Sequence, residues 1–259
     1  MTALMMHHFH AADGTQLAYH ETGAADARPL VLIHGLFSDA VVNWIKYGHA
    51  ALLAESGFRV IMPDLRAHGA SDKPHDARAY PKDVLADDGF ALVVHLGLTD
   101  YDLGGFSLGA RTCVRMLVRL KEQGGAQPRR AVLGGMGLSG LTTTGKRIDH
   151  FKHVLDNLGS FERGSEEWLA EAFLKTTKGD PQALRLLLNS FADTSLADIQ
   201  AITTPCAVIC GDQDNDNGSA DQLAAALPHA TRFIIPGTHM GCVVKREFGE
   251  AIRDFLITI

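Results

Sequence analysis

Hydrophobic residues along the chain fall into short, non-alternating runs, separated by longer stretches with helical spacing. Such runs predict strands that are covered on both faces, here 30–33, 59–62, 102–105, 131–135, 206–211 and 232–236. The helices predicted between them are about 39–55, 83–96, 108–123, 219–227 and 241–256. Ahead of these, two alternating segments flank Asp13-Gly14 and predict an antiparallel hairpin of 7–10 with 16–20. The alternation of strand and helix implies an α/β fold with a mostly parallel, doubly wound sheet.

One stretch, between the strands predicted at 131–135 and 206–211, breaks this alternation. It begins with a glycine-rich segment and continues with three groups of apolar residues at helical spacing, the third starting at Asp180-Pro181. The pattern predicts a helical cap at 136–199, inserted between two parts of the core at 1–135 and 200–259. Most apolar residues of the cap are expected to pack it onto the core. A few are expected to line a substrate pocket, and the candidates are Phe151, Leu155, Trp168 and Phe173.

The composition and charge limit the types of protein and partner that fit this sequence. The 259 residues are 46% hydrophobic and 21% charged, as in an ordinary globular protein. The net charge of −6, without a basic patch, argues against nucleic acid or an anionic membrane as the partner, because like charges repel. The first ten residues lack the basic and apolar segments of a signal peptide, so a cytoplasmic location is the default expectation. Cys206 and Cys210 are expected to pack in the core rather than to bind a metal.

Residues 105–109, Gly-Phe-Ser-Leu-Gly, fit the Gly-x-Ser-x-Gly pattern of a nucleophile elbow. A predicted strand ends just before Ser107 and a predicted helix begins just after it, so the serine lies at a sharp reversal. Glycines two positions on either side remove the Cβ atoms that would collide with a strained serine backbone. A five-residue pattern also arises by chance in a chain with 26 glycines, so the interpretation depends on the other segments.

A serine hydroxyl needs a base to remove its proton and a third group to orient that base. Two downstream segments supply these groups, each after a predicted strand: 211–214 (Gly-Asp-Gln-Asp) and 237–239 (Gly-Thr-His). The base is therefore expected to be His239. The acid is less well determined, because Asp212, Asp214 and Asp216 crowd one loop.

The same three aspartates also resemble the start of a calcium-binding loop. Such a loop requires glycine at its sixth position and glutamate at its twelfth. Here Gly218 occupies the seventh position and Leu223 the twelfth. The spacing therefore argues against a metal site.

Taken in order, these segments resemble the α/β-hydrolase superfamily over nearly the full chain. The resemblance rests on His34-Gly35, on 64–72, on the elbow, and on the Gly-x-x-Asp and Gly-x-His segments that follow later strands. It implies that Ser107 is the nucleophile, His239 the base and Asp214 the orienting acid. It also implies an oxyanion hole formed by the N–H groups of Leu108 and Leu36, with Phe37 as the less favoured second donor. These groups complete the chemistry, so no metal or organic cofactor is implied.

Other polar residues are expected to have structural roles. His34, Arg66 and Asp72 are expected to brace loops, and His68 lies in the same loop as Arg66. Surface positions are expected for His49 and His229. His150 and His153 start the cap and could reach the pocket, but exposed positions are expected for both.

The function that the resemblance favours is hydrolysis of a small to medium, largely apolar ester through an acyl-enzyme. A serine at the elbow argues against the branches of the superfamily that use an aspartate there. The same residues would also serve hydrolysis of a carbon–carbon bond, lactone opening, perhydrolysis or acyl transfer. A small-molecule receptor with the same fold is a further alternative, because function depends on the site rather than the fold. The expected partner is thus a small molecule, and nothing in the sequence indicates the oligomeric state.

Overall fold

An eight-stranded sheet runs through the protein in the computed structural model, which describes residues 4–258. The strands lie in the order β1-β2-β4-β3-β5-β6-β7-β8. The first two, β1 (Met5–His10) and β2 (Gln16–Thr22), form the expected antiparallel hairpin, and β2 also pairs antiparallel with β4. All later pairs are parallel. The remaining strands are β3 (Arg28–Ile33), β4 (Phe58–Pro63), β5 (Asp102–Phe106), β6 (Ala131–Gly134), β7 (Cys206–Gly211) and β8 (Ala230–Ile235).

Helices cover both faces of the sheet, which explains why the strands lack an alternating pattern. Leu30 and Leu32 of β3 pack into one apolar cluster, and Val31 and Ile33 pack into another on the opposite face. The helices outside the β6–β7 connection are α1 (His49–Glu55), α2 (Val84–His95), α3 (Leu108–Gln123), α9 (Ala220–Ala226), α10 (His239–Cys242) and α11 (Arg246–Ile257). The predicted doubly wound α/β sheet is confirmed.

Two of the predicted helices are wrong in extent. The segment predicted as one helix over 39–55 contains a π-helical turn at Val41–Ile45 and then α1, and the break lies at Gly48 with φ of 83°. The segment predicted over 241–256 is also divided, because Lys245 is extended between α10 and α11.

The predicted surface position of His49 is also wrong. Its side chain is 1% exposed and its Nε2 donates to the Val243 carbonyl at 2.6 Å.

Helices fill the connection between the adjacent strands β6 and β7, and we call them the helical insertion. They are α4 (Ser139–Thr142), α5 (Gly145–Asp156), α6 (Glu166–Thr176), α7 (Pro181–Leu187) and α8 (Leu196–Gln200). The predicted start of α7 is confirmed, since the Asp180 side chain accepts a hydrogen bond from the Ala183 N–H and Pro181 follows as the first residue. Within residues 4–258, every helix is too short or too polar to cross a membrane.

Candidate active site

Ser107 lies at the sharp turn between β5 and α3. Its backbone has φ of 53° and ψ of −112°, a conformation that residues other than glycine rarely adopt. Two glycines make this turn possible. A Cβ on Gly105 would lie 2.3 Å from the backbone of Gly109, and a Cβ on Gly109 would lie 2.0 Å from the carbonyl oxygen of Ile33. The turn places the serine hydroxyl at the carboxyl edge of the sheet.

The structure brings Ser107, His239 and Asp214 together in one hydrogen-bonded chain. The Ser107 Oγ lies 3.0 Å from the His239 Nε2, and the His239 Nδ1 lies 3.1 and 3.0 Å from the two Asp214 carboxylate oxygens. All three residues are buried: the exposed fraction is 9% for Ser107, 5% for His239 and 8% for Asp214. With its Nδ1 proton donated to the carboxylate, the imidazole presents Nε2 as an acceptor to the serine hydroxyl.

Each of the three crowded aspartates has a different partner. Asp214 reaches His239, whereas Asp212 accepts a hydrogen bond from the Gly237 N–H at 2.7 Å. The half-exposed Asp216 lies 3.7 Å from the guanidinium of Arg147. Within residues 4–258, no group of three His, Cys, Asp or Glu side chains is arranged to hold a metal ion.

Two backbone N–H groups near Ser107 lack a hydrogen-bond acceptor in the described part of the chain. One belongs to Leu108, the first residue of α3, which has no acceptor inside its own helix. The other belongs to Leu36, in the loop after β3. The neighbouring Phe37 N–H is already used, because it donates to the His68 Nε2 at 3.2 Å. Both free N–H groups therefore belong to the pair of residues that the resemblance indicates.

Two neutral histidines hold the loop that carries Leu36. The Nδ1 of His34 donates to the Gly35 carbonyl at 2.8 Å, and its Nε2 accepts from the Leu65 N–H at 2.9 Å. His68 uses its Nδ1 on the Arg66 carbonyl in the same way. Burial lowers the pKa of both histidines, and that of His68 falls to about 3. The expected bracing role of His34 is confirmed.

The loop after β4 is fixed by two charged side chains, as expected. The Arg66 guanidinium is 1% exposed and bridges two carboxylates, Asp88 at 2.7 Å and Asp13 at 2.5 Å. Asp72 accepts a hydrogen bond from the Gln16 N–H at 2.9 Å. These contacts join the loop to the hairpin and to α2.

A cavity of about 840 Å³ opens above Ser107, between the sheet edge and the helical insertion. Leu36, Leu108 and His239 also border it. Its apolar wall is formed largely by the insertion, with Met136, Ile148, Phe151, Leu169, Phe173, Leu188 and Phe191.

Phe151 and Phe173 lie in the cavity wall, as expected, but Leu155 and Trp168 do not. Leu155 is one turn beyond Phe151 on α5, where the helix has left the cavity and is packed into the core. On α6 the lining positions are 166, 169, 170 and 173, which form one stripe at helical spacing. Trp168 falls outside that stripe and lies against Arg163 instead. The expectation for His150 is also wrong, because it lines the cavity, whereas His153 is exposed as expected.

Comparison with known proteins agrees with this architecture. Residues 28–123 match the family model for the alpha/beta hydrolase fold. A non-heme haloperoxidase of Rhodococcus erythropolis is 26% identical over 92% of this chain and 94% of its own. The acetyltransferase component of the acetoin cleaving system of Pseudomonas putida is 36% identical over 94% of this chain but only 66% of its own. Among solved structures, a hydrolase from Pseudomonas aeruginosa and an esterase from Exiguobacterium antarcticum each superimpose with a TM-score of 0.79, at 22% and 20% identity and at least 98% coverage of both chains.

The chain belongs to the α/β-hydrolase superfamily of enzymes. In this hydrolase the insertion is fastened to the body by a buried arginine that sequence reasoning missed. Arg111 donates to the Gly140 carbonyl at 2.9 Å and to the Ala192 carbonyl, and it lies 3.8 Å from the Asp193 carboxylate. Burial lowers the pKa of the guanidinium to about 10, so the group is charged at neutral pH. A signal existed in the sequence, because Arg111 is one helical turn after Ser107 and therefore faces the same side.

A second arginine joins the insertion to the loop that carries Asp214. Arg147 of α5 donates to the Asp216 carbonyl at 2.9 Å, and its guanidinium lies over the Phe151 ring, 5.1 Å from the centroid. Asn217 completes the attachment of this loop by donating to the Gly135 carbonyl at 2.8 Å. The position of Asp214 in the hydrolase thus depends on contacts from both the insertion and the end of β6.

Proposed function

We propose that this hydrolase is a serine esterase in which Ser107, His239 and Asp214 form the catalytic triad. The observation that carries the proposal is the 3.0 Å contact between the Ser107 Oγ and the His239 Nε2, with Asp214 on the opposite side of the ring. A base within hydrogen-bond reach of a serine hydroxyl, itself oriented by a buried carboxylate, is the arrangement that activates the serine.

In the first half of the reaction, the Ser107 oxygen forms a bond to the ester carbonyl carbon while its proton passes to His239. The carbonyl π electrons move to the oxygen, and the N–H groups of Leu36 and Leu108 stabilise the resulting anion. Each such preorganised donor lowers the barrier by about 3 kcal/mol. The intermediate collapses when the C–O bond to the alcohol breaks and His239 returns its proton to the departing oxygen.

In the second half, a water molecule attacks the acyl-enzyme and gives its proton to His239. The same two N–H donors stabilise the anion of the tetrahedral intermediate that this attack forms. It breaks its bond to the Ser107 oxygen, which takes the proton back from His239 and releases a carboxylic acid. Throughout, Asp214 keeps the ring in one tautomer and stabilises the imidazolium form.

The cavity supports a small to medium, largely apolar substrate. Its volume of about 840 Å³ is within the range of small-molecule sites, roughly 300–1,000 Å³. Aromatic residues of the insertion, among them Phe151 and Phe173, provide apolar surface facing the serine. Several similar structures are those of esterases, including the one from Exiguobacterium antarcticum, which agrees with this substrate class.

The proposal is tested by Ser107→Ala. We expect the variant to fold normally and to lose activity on p-nitrophenyl esters by about 10⁴-fold or more, because the nucleophile is removed. A fluorophosphonate should label the wild-type protein and leave Ser107→Ala unlabelled. The matched control is Ser160→Ala, at an exposed serine of the insertion, which should behave as the wild type. Ester turnover that persists in Ser107→Ala would remove the proposal.

Perhydrolysis is a second candidate, favoured by the names of two similar proteins. One is the Rhodococcus haloperoxidase, and the other is a bromoperoxidase structure from Bacillus anthracis at 24% identity and a TM-score of 0.77. In this reaction hydrogen peroxide replaces water as the attacking group, and a peracid replaces the carboxylic acid. Assaying esters, lactones, vinylogous diketones and ester with peroxide on the purified protein separates the candidates. Turnover restricted to one of the other classes would replace the ester assignment, and tight binding without turnover would indicate a receptor.

A further inference from the structure

Phe37, the residue after Leu36, is held in an unfavourable backbone conformation by contacts from both sides. Its φ is 61°, in the left-handed region that residues other than glycine rarely adopt. It occupies the third position of a turn that is closed by a hydrogen bond from the Ser38 N–H to the Gly35 carbonyl at 3.2 Å. A positive φ at that position normally selects glycine. The turn therefore depends on tertiary contacts to keep its shape.

One of these contacts comes from the body of the protein and the other from the helical insertion. His68 accepts the Phe37 N–H, as described above. On the opposite side, the hydroxyl of Thr177 donates to the Phe37 carbonyl at 2.7 Å. The same hydroxyl lies 3.1 Å from the Leu174 carbonyl within its own helical turn, but a hydroxyl has one proton and the contact to Phe37 is shorter.

Thr177 lies at the end of α6, and the preceding turns of this helix line the cavity. The hydrogen bond thus joins a wall of the cavity directly to the loop that carries the Leu36 N–H. A second contact follows the same route, since the Phe37 ring packs edge-on against Phe151 of α5 with centroids 5.4 Å apart. Of the two, only the hydroxyl bond holds the backbone of the turn.

We propose that Thr177 is a positioning residue of the oxyanion hole: its hydrogen bond to the Phe37 carbonyl keeps the turn in the conformation that aims the Leu36 N–H at the reacting carbonyl. This inference rests on the proposed function. It also makes the oxyanion hole dependent on the position of α6, so that a ligand packed against this helix reinforces the same turn.

The role predicts a specific kinetic effect. An oxyanion donor acts on charge that develops in the transition state and contributes little to binding of the substrate. Loss of the hydroxyl should therefore lower kcat and leave KM nearly unchanged. Small displacements of catalytic groups are costly, so we expect kcat on an activated ester to fall about 10-fold or more.

The experiment compares three substitutions. Thr177→Val removes the hydroxyl at nearly constant volume, and Thr177→Ser retains it. Thr176→Val is the matched control, because the neighbouring threonine is exposed and its hydroxyl donates to the Ala172 carbonyl of its own helix. We expect the loss of kcat in Thr177→Val, recovery in Thr177→Ser and wild-type kinetics in Thr176→Val. If Thr177→Val is poorly folded, Thr177→Ala takes its place and should show the same loss of kcat.

A transition-state analogue gives an independent measurement. A trifluoromethyl ketone binds by forming a hemiketal with the serine, in which the carbonyl oxygen becomes the anion. Its inhibition constant should rise in Thr177→Val by about the factor by which kcat/KM falls. Unchanged kcat and inhibition constant in Thr177→Val, or a change confined to KM, would overturn the role of Thr177 while the ester assignment stands. A wild-type protein that neither turns over esters nor reacts with fluorophosphonate would instead remove the proposed function itself.

Discussion

Asp214 differs from the two aspartates beside it only in where the loop places its side chain. Replacing it with asparagine keeps the size but presents an amide to the His239 Nδ1, which favours the wrong tautomer of the ring. We expect Asp214→Asn to lower kcat on an activated ester by about 10⁴-fold. The matched control is Asp212→Asn, in which the side-chain oxygen can still accept the Gly237 N–H. An equal loss in both variants, measured by steady-state kinetics, would contradict the assignment of the acid.

For single residues, the sequence predicted which polar side chains lie together but not which contacts hold each of them in place. The spacing of motifs after strands was sufficient for Ser107 and His239, because the carboxyl ends of parallel strands converge at one edge. The proposal of Leu36 rather than Phe37 as the second oxyanion donor depends on the His68 imidazole, which accepts the Phe37 N–H from a loop 31 residues away. A contact between two distant loops leaves no pattern in the spacing of either one.

The elbow as an element depends on close packing between β3 and the start of α3. A Cβ on Gly109 would lie 2.0 Å from the Ile33 carbonyl oxygen, so the strand and helix would have to separate. We expect Gly109→Ala to lower the free energy of unfolding by about 3 kcal/mol, as measured by urea denaturation. Gly145→Ala is the control, because a Cβ there has no neighbour within 4 Å, and its effect should stay within about 1 kcal/mol. A small effect at Gly109 would mean that the two elements separate easily.

The helical insertion is held to the body by Arg111, and its removal should loosen the insertion alone. In Arg111→Met the bonds to the Gly140 and Ala192 carbonyls are lost. We expect amide hydrogen exchange in α4 and α5 to accelerate about 10-fold, while exchange in the central strands stays unchanged. Arg119→Met is the control, since Arg119 is on the same helix but pairs with Asp87 of α2 at 2.7 Å. Exchange that accelerates equally in both variants would indicate a general loss of stability.

Among the elements, the buried strands were easier to predict than the helices around the site. Apolar runs carry a strong signal, and all six predicted strands are present within two residues of the expected bounds. The prediction that the strand at 232–236 is buried is wrong, because β8 lies at the edge of the sheet and its Ile234 is 66% exposed. Helical periodicity does not reveal a local break, so the segment ending at Glu55 was predicted as one helix despite the left-handed Gly48. It also does not reveal which stripe of α6 faces the cavity, which is why Trp168 was placed there wrongly.

At the scale of the whole molecule, stability depends on three histidines that are buried without charge. Burial lowers the pKa of His34, His49 and His68. An unfolded chain binds protons on histidine near pH 6.5, whereas the folded chain binds them only at a lower pH, which for His68 is about 3. Each histidine therefore contributes stability that is present above about pH 6.5 and is lost as the pH falls toward its folded pKa.

Two buried carboxyl groups oppose this loss over part of the range. Burial raises the pKa of Asp88 and of Asp102 to about 6, although an arginine lies beside each. The folded chain consequently binds these protons more readily than the unfolded chain, whose carboxyls titrate near pH 4. Their contribution to stability rises as the pH falls from about 6 to about 4. The two carboxyls therefore offset part of the loss that the three histidines cause.

We therefore expect the histidines to make the free energy of unfolding fall as the pH drops below about 6.5, by up to about 1.4 kcal/mol per pH unit for each, as measured by urea denaturation. His49 allows this decline to be assigned, because the amide of a glutamine can replace its donated bond to the Val243 carbonyl. His49→Gln should make the decline markedly shallower. His229→Gln, at an exposed histidine, should leave it unchanged. If the decline is equally steep in His49→Gln, the acid sensitivity arises from groups other than the buried neutral histidines.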